Sequence, residues 1–332
     1  MMDDDFERPV ETLDPSINDD LDKRERAEGF ARVYLQSSAD LLATAKLQPD
    51  WLVPNAIPTK SVVYIVGKPG SKKSWLGYDL AVAIIQGRQW MGFESPTPKS
   101  TSPSALILNF DNPGEECARR FLRLGLRPSD RAWFHSLGAH KPPQGYPRML
   151  YLPAGHEPLD AIVDAYRPDV VMVDSLRQCH TKDESSSQEM AEIVGYLRLL
   201  ANYGASVIVI HHTRKDDGEM RGSTEIEASA DAIIHVVGDV ATWKKTRGWE
   251  MPDGSVSFKL EDDGDRTELN GGMRLSGILV DGPLSRQRIG ELMDLPSPTA
   301  ASSMINAALE RGSVRETWDV AGSGKKVIEW IR

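Results

Sequence analysis

The apolar run Ser61-Val62-Val63-Tyr64-Ile65-Val66 leads straight into Gly67-Lys68-Pro69-Gly70-Ser71-Lys72-Lys73-Ser74, and an amphipathic stretch begins at Trp75. Strand, turn and helix in that order fit the phosphate-binding pattern G-x-x-x-x-G-K-[ST] everywhere but at Lys72, where the pattern has glycine. In such a loop successive backbone N–H groups curl around phosphates, and the dipole of the following helix adds positive potential at the same place. Lys73 is expected to reach the β- and γ-phosphates of ATP, and the Ser74 hydroxyl to ligate Mg²⁺. The whole run from Gly67 to Trp75 is the expected nucleotide cradle. Leu76, Leu80, Ala83 and Ile84 fall at i, i+4, i+7 and i+8, one helix face to be packed on a sheet.

The misfit has a physical cost. Glycine serves this position through a backbone conformation that a Cβ disfavours, so Lys72 is expected to cost about 1 to 2 kcal/mol. Because Lys68 follows Gly67, the loop also resembles a deviant form with lysine in its second position, but that form has glycine where Pro69 stands. Lys68 and Lys72 read more simply as added positive charge near the phosphates.

Outward from the loop, Ala105 to Phe110, Asp169 to Asp174 and Ala205 to Ile210 are continuous apolar runs separated by helical segments. Strands apolar on both faces and alternating with helices predict a mostly parallel sheet covered on both sides. Further helices are expected over Arg26 to Ala45, over about Pro113 to Leu124, and along the stripe Met190, Ile193, Val194, Leu197 and Leu200. Beyond Val237 shorter strands are expected at Ser255 to Leu260 and Met273 to Val280. Asp281-Gly282-Pro283 reads as a domain boundary.

The chain has 332 residues and 40% hydrophobic content, room for one large α/β domain and a small one. Its formal net charge is −10; residues 1–30 hold 11 Asp/Glu and 4 Lys/Arg, leaving −7 there and −3 for the rest. The acidity is thus a tail, expected to be disordered to about residue 25 and to serve solubility or to compete with nucleic acid. Cys117 and Cys179 are the only cysteines and lie far apart, which indicates neither a disulfide framework nor a zinc site. An acidic, polar N-terminus and no apolar run near 18 residues point to a soluble, cytoplasmic protein without a membrane partner. The expected organisation is an acidic segment over 1–45, the α/β nucleotide domain over 46–280 and a small domain over 281–332.

Two carboxylates close apolar strands. Asp174 is placed at the carboxyl edge of the sheet, where open α/β folds bind ligands, and is read as a Mg²⁺ ligand, the alternative being a helix or turn cap. Asp111 ends the next strand after the loop, where hydrolysis needs a carboxylate to orient and deprotonate water; the alternative is a turn residue before Asn112-Pro113-Gly114.

Together these motifs resemble the RecA-like, hexameric RepA-type plasmid helicases, relatives of the ring-forming replicative helicases. The resemblance spans roughly residues 50–262 and rests on Gly67 to Ser74, Asp111 with Asn112-Pro113, Asp174-Ser175, His211-His212-Thr213 with Lys215, Arg221-Gly222-Ser223, Asp231 and Lys245-Thr246-Arg247-Gly248. It implies a RecA-like P-loop core and a ring, expected to be a hexamer, with ATP between subunits and single-stranded DNA in the channel. Proteins of plasmid or mobile-element replication are further implied partners. In that family the water-activating residue is usually glutamate; Asp111 retracts the carboxylate by one bond, and a displacement near 1 Å costs about 10²-fold in rate. His212, and next to it His211, stands where the family has the polar group that senses the γ-phosphate; a structural histidine is the alternative. Lys245 and Arg247 match a Lys-x-Arg pair that reaches the γ-phosphate of the neighbouring subunit, the alternative being a solvated basic edge. The loops after Asp174 and Thr213 would face the channel with Arg177, Arg214, Lys215 and Arg221, but also with Asp183, Glu184, Asp216, Asp217 and Glu219.

From Ser285 the pattern of helix, helix and hairpin resembles a winged helix. Its expected recognition helix, Thr299 to Leu309, has no Lys or Arg, and from Pro283 onward 7 basic face 6 acidic residues, so DNA recognition and protein contact stand equal. The sequence therefore predicts an ATP-driven, ring-forming DNA helicase or translocase. The alternative is a nucleotide-dependent DNA-binding or assembly switch with slow or absent hydrolysis.

Overall fold

The computed structural model describes residues 15–46, 48–98, 100–137, 151–152, 156–214, 220–249, 252, 256–262, 267–274, 284–292, 302, 305–306, 309, 314–318 and 326–330. Contacts divide the chain into Met1–Gln48 and Pro49–Arg332.

The first unit holds helices α1 (Pro15–Tyr34) and α2 (Ser38–Thr44). This corrects the single helix expected over Arg26 to Ala45, and α1 begins inside the stretch expected to be disordered. The break is chemical: the Ser37 side chain accepts from Asp40 N at 3.1 Å, capping a new helix. In the middle of α1 the run Leu21 to Glu28 is rich in good helix formers, with Arg24 and Glu28 paired one turn apart.

The second unit opens with a small antiparallel pair, β1 (Trp51–Val53) and β2 (Ile57–Pro58). Its centre is a nine-stranded sheet. In chain order the parallel part is built by β3 (Val62–Gly67), α3 (Lys73–Gln86), β4 (Ser104–Pro113), α4 (Gly114–Arg123), β5 (Arg131–Leu137), α5 (His156–Tyr166), β6 (Val170–Asp174), α6 (Ser187–Asn202), β7 (Ser206–His212), α7 (Thr224–Ser229) and β8 (Ala232–Val237). The antiparallel strands β9 (Val240–Thr246), β10 (Val256–Asp262) and β11 (Thr267–Arg274) extend one side, giving the order β11-β10-β9-β8-β3-β7-β6-β4-β5. The last strand thus starts before the expected Met273, because Asp262 pairs with Thr267 across a short connection.

Period-two alternation explains why the parallel strands are apolar throughout. Val63, Ile65, Ile107, Met172, Ile208 and Ile210 face α3 and α4, among them Leu76, Leu80, Ile84 and Phe121. Val62, Tyr64, Leu106, Leu108, Val171 and Val207 join Leu159 of α5 and the stripe Met190, Ile193, Leu197 and Leu200 of α6 on the other face. α3 lies close to the sheet because Gly77 has no side chain: a Cβ there would meet the Met172 methyl, and Ile210 Cδ1 at 3.2 Å. Gly87 stops the helix at φ 65°.

Toward the C-terminus the structure has a helix, Arg286–Leu292, and the antiparallel strands Val314–Trp318 and Lys326–Trp330. The expected boundary at Asp281 to Pro283, most of the second helix and the turn at Gly322 to Gly324 lie outside the described residues. Both cysteines are free and buried. Among the described residues no helix is long and apolar enough to cross a membrane.

Candidate functional site

Because β3, β7, β6 and β4 run parallel, the residues that end them share one edge of the sheet. Gly67, His212, Asp174 and Asp111 are brought to that edge by topology alone. There a cavity of about 310 Å³ is lined by Pro69, Gly70 and the run Lys72 to Trp75, and by Asp111, Asn112, Asp174 and His212. Arg120 and Ile210 complete its wall.

The loop has the shape the pattern requires. Gly67 pairs with both His212 and Val236, and a Cβ on it would collide with the Val236 carbonyl oxygen. Gly70 sits at φ 78° and Lys72 at φ 64°, so the glycine conformation is retained by a lysine. Ser71 N donates to Lys68 O at 3.2 Å, closing the turn. Lys68, exposed, contributes its carbonyl rather than a buried charge. Lys73 is 4% exposed, and its Nζ donates to that same carbonyl at 2.8 Å. Burial pulls the Lys73 ammonium down to about 8, while the negative charges of Asp174 and Asp111 oppose the fall.

Asp174 is 1% exposed. Its Oδ2 accepts the Tyr78 hydroxyl at 2.7 Å, and its Oδ1 is buried without a hydrogen-bond partner. Burial pushes this carboxyl above the usual carboxylate range; the Tyr78 and Ser74 hydroxyls pull it back and the Asp111 charge pushes it further. A buried anionic oxygen with no partner, beside a serine hydroxyl, suits a hard divalent cation. The residues present therefore fit Mg²⁺ held by Ser74 and Asp174.

Asp111 is exposed at the mouth of the cavity. Its turn is fixed by Asn109, whose Nδ2 donates to Asn112 O at 2.7 Å and whose Oδ1 accepts from Asn112 N at 3.1 Å. His212 is half-buried, with its protonated form disfavoured first by burial and then by Lys73, and favoured by Asp111. His211, its neighbour, points to the opposite face: it is fully buried, and its Nε2 meets Arg221 O at 2.8 Å. Of the two candidate sensors only His212 lines the cavity.

Lys245 and Arg247 do not join this group. By register Thr246 pairs with Ala232 and Ala232 with Val63, which places both cations at the amino edge of the sheet, opposite the loop. Lys245 Nζ donates to Glu227 O at 2.6 Å, Arg247 donates to Ala228 O, and Arg247 Nη1 lies 3.6 Å from Asp231 Oδ1. Of the expected channel residues, Lys215 to Glu219 lie outside the described residues. Glu184, expected to face the channel, is instead buried at 6% and pairs with Arg221 at 3.2 Å.

Three contributors escape sequence reading. Tyr78 stands one helical turn after Ser74, a spacing that could have suggested it. Arg120 of α4 stacks over the Trp75 ring at 5.6 Å and bonds Glu116 at 2.9 Å, and nothing in its local sequence singles it out. Asp239, in the turn between β8 and β9, holds Lys72 Nζ at 2.5 Å.

A family model described as AAA domain matches residues 30–218, more than half of the chain and the whole cavity.

Proposed function

The chain belongs to this AAA-domain family of P-loop ATPases, and from that premise we propose that it is a ring-forming, ATP-hydrolysing DNA helicase or translocase of the RepA type. It would serve replication of a plasmid or other mobile element, working as a hexamer on single-stranded DNA. One observation carries the reading. Lys73, Ser74, Asp111, Asp174 and His212 converge on one cavity, whereas Lys245 and Arg247 stand at the far edge of the same sheet. Lys73 and Arg120 bring positive charge to the cavity from the chain itself, and Lys245 and Arg247 would reach such a cavity only from a second copy.

Within one subunit the loop amides and Lys73 hold the phosphates, and Ser74 and Asp174 hold the metal. The ion supplies charge neutralisation on the phosphate oxygens. Asp111 orients water and takes its proton, and His212 reads the terminal phosphate. Lys245 and Arg247 of the neighbouring copy add positive charge where it develops in the transition state. Arg177, Arg214 and Arg221 offer phosphate contacts for a single strand.

The test is turnover of the purified chain with and without single-stranded DNA, alongside particle mass. ATP hydrolysis is expected to rise with DNA in an oligomer and to vanish in Lys73→Ala. A monomer whose turnover ignores DNA refutes the motor. Asp111 in a glutamate's place supports a second reading, a nucleotide-dependent assembly switch with slow hydrolysis.

A further inference from the structure

Lys72 occupies the left-handed region at φ 64° and ψ 15°, a conformation that costs a non-glycine residue about 1 kcal/mol or more. It is the residue that starts α3: its carbonyl accepts the first helical bond, from Leu76 N at 3.0 Å, and its side chain makes no cap. The side chain crosses instead to Asp239, whose carboxylate is 17% exposed and holds the ammonium at 2.5 Å. Asp239 is itself anchored, since its carbonyl accepts Phe258 N at 2.8 Å from β10. The same hairpin touches the start of the loop, where the absent Cβ of Gly67 leaves room for Val236 O. The phosphate loop is thus fastened at both ends to β8 and its turn.

We propose that Lys72 and Asp239 are a positioning pair, in which the ion pair holds the loop in the phosphate-receiving shape that glycine would otherwise reach by freedom alone. The lysine's charge is then not a phosphate contact. It is neutralised by Asp239, and its effect on nucleotide is indirect, through the amides of Gly70 to Lys73. The pair also fixes the loop against a hairpin whose far end carries Lys245 and Arg247. This proposal rests on the reading that the loop binds nucleotide.

The two roles open to Lys72 differ in sign. If its ammonium served phosphates directly, removing the competing carboxylate would free it and tighten binding. As a positioning pair, removing the carboxylate loosens the loop and weakens binding. ADP with Mg²⁺ is titrated calorimetrically into the full-length wild type, Asp239→Asn, Lys72→Gly, the double variant and Lys72→Arg. Asp239→Asn is expected to raise the ADP Kd about threefold to tenfold, the scale of a partly buried ion pair. In the Lys72→Gly background the same change is expected to have no further effect, and Lys72→Arg, which keeps the charge facing Asp239, to weaken binding less than Asp239→Asn does. Amide hydrogen exchange at Gly70 to Lys73 without nucleotide is expected to quicken in Asp239→Asn. Unchanged or tighter ADP binding in Asp239→Asn, or unchanged exchange, overturns the pair. Failure of the wild type to bind ADP at all refutes the nucleotide reading itself, and the exchange measurement then still judges the pair.

Discussion

At the scale of single residues, the site is governed by what surrounds Asp174. Its Oδ2 is held by Tyr78, which is itself buried and stacked on Phe121 at 4.6 Å, and its Oδ1 is buried without a hydrogen-bond partner. Tyr78→Phe removes an oriented hydroxyl from the proposed metal ligand, a change that commonly costs tenfold or more in metal affinity. We expect the Mg²⁺ concentration for half-maximal turnover to rise about tenfold while ADP binding without metal stays unchanged; equal Mg²⁺ dependence would show that Tyr78 merely packs. Asp111 poses the complementary question of reach. Its turn is held by Asn109, which bonds both the N–H and the carbonyl of Asn112. Asp111→Glu is expected to raise turnover by about tenfold to a hundredfold if reach limits hydrolysis. A fall in rate would mean that the aspartate is matched to its site.

At the scale of elements, β7 divides two adjacent histidines by simple alternation. His212 reaches the cavity, and His211 is buried beside Glu184 and His180, with the exposed Arg221 pairing to Glu184 from outside. Burial pulls the His211 imidazole from its ordinary 6.5 down to about 4. Its folded pKa lies below the unfolded one, so the unfolded chain binds more protons between those values, and stability is lost as pH falls from about 6.5 to 4. The shift corresponds to on the order of 3 kcal/mol at its acid limit. Glu184, pushed up by burial, acts with the opposite sign, so the measurement is a difference. His211→Gln should flatten the thermal midpoint's fall between pH 6.5 and 4 relative to wild type, and parallel curves would exclude His211 as the source. In α3 the absent Cβ of Gly77 sets the approach to β6 and β7, and Gly77→Ala is expected to destabilise the fold by about 1 to 3 kcal/mol in urea titrations. The order β3, α3, β4, α4, β6, α6 and β7 was readable from apolar runs of distinct period, whereas α5 and α7 were not read. The break at Ser37 and the start of β11 were not, because caps and turns depend on one or two residues whose partners lie close by but outside any periodic pattern.

At the scale of the molecule, the sheet places the loop at its carboxyl edge and Lys245 with Arg247 at its amino edge. Action of those cations on ATP in a second copy predicts complementation. Lys73→Ala and the double variant Lys245→Ala/Arg247→Ala are each expected to lose turnover by about 10³-fold, the scale of an arginine finger. Mixed together, they should recover a measurable part of it, because some interfaces pair an intact loop with intact cations. Mixed assemblies as inactive as their parts would leave Lys245 and Arg247 as braces of α7, which their bonds to Glu227 and Ala228 also suit.

The sequence by itself determined the strand-loop-helix around Lys73, the parallel sheet and the carboxylates near the carboxyl ends of β4 and β6, because each is written in a local period or a contiguous motif. Only the tertiary structure decided that Tyr78 holds Asp174, that Arg120 enters the cavity wall, that Glu184 turns inward, and that Asp239 answers Lys72 across 167 residues of chain. Pairings of that kind are set by which elements the sheet order makes neighbours. A charge has no local signature of the partner that folding will bring to it.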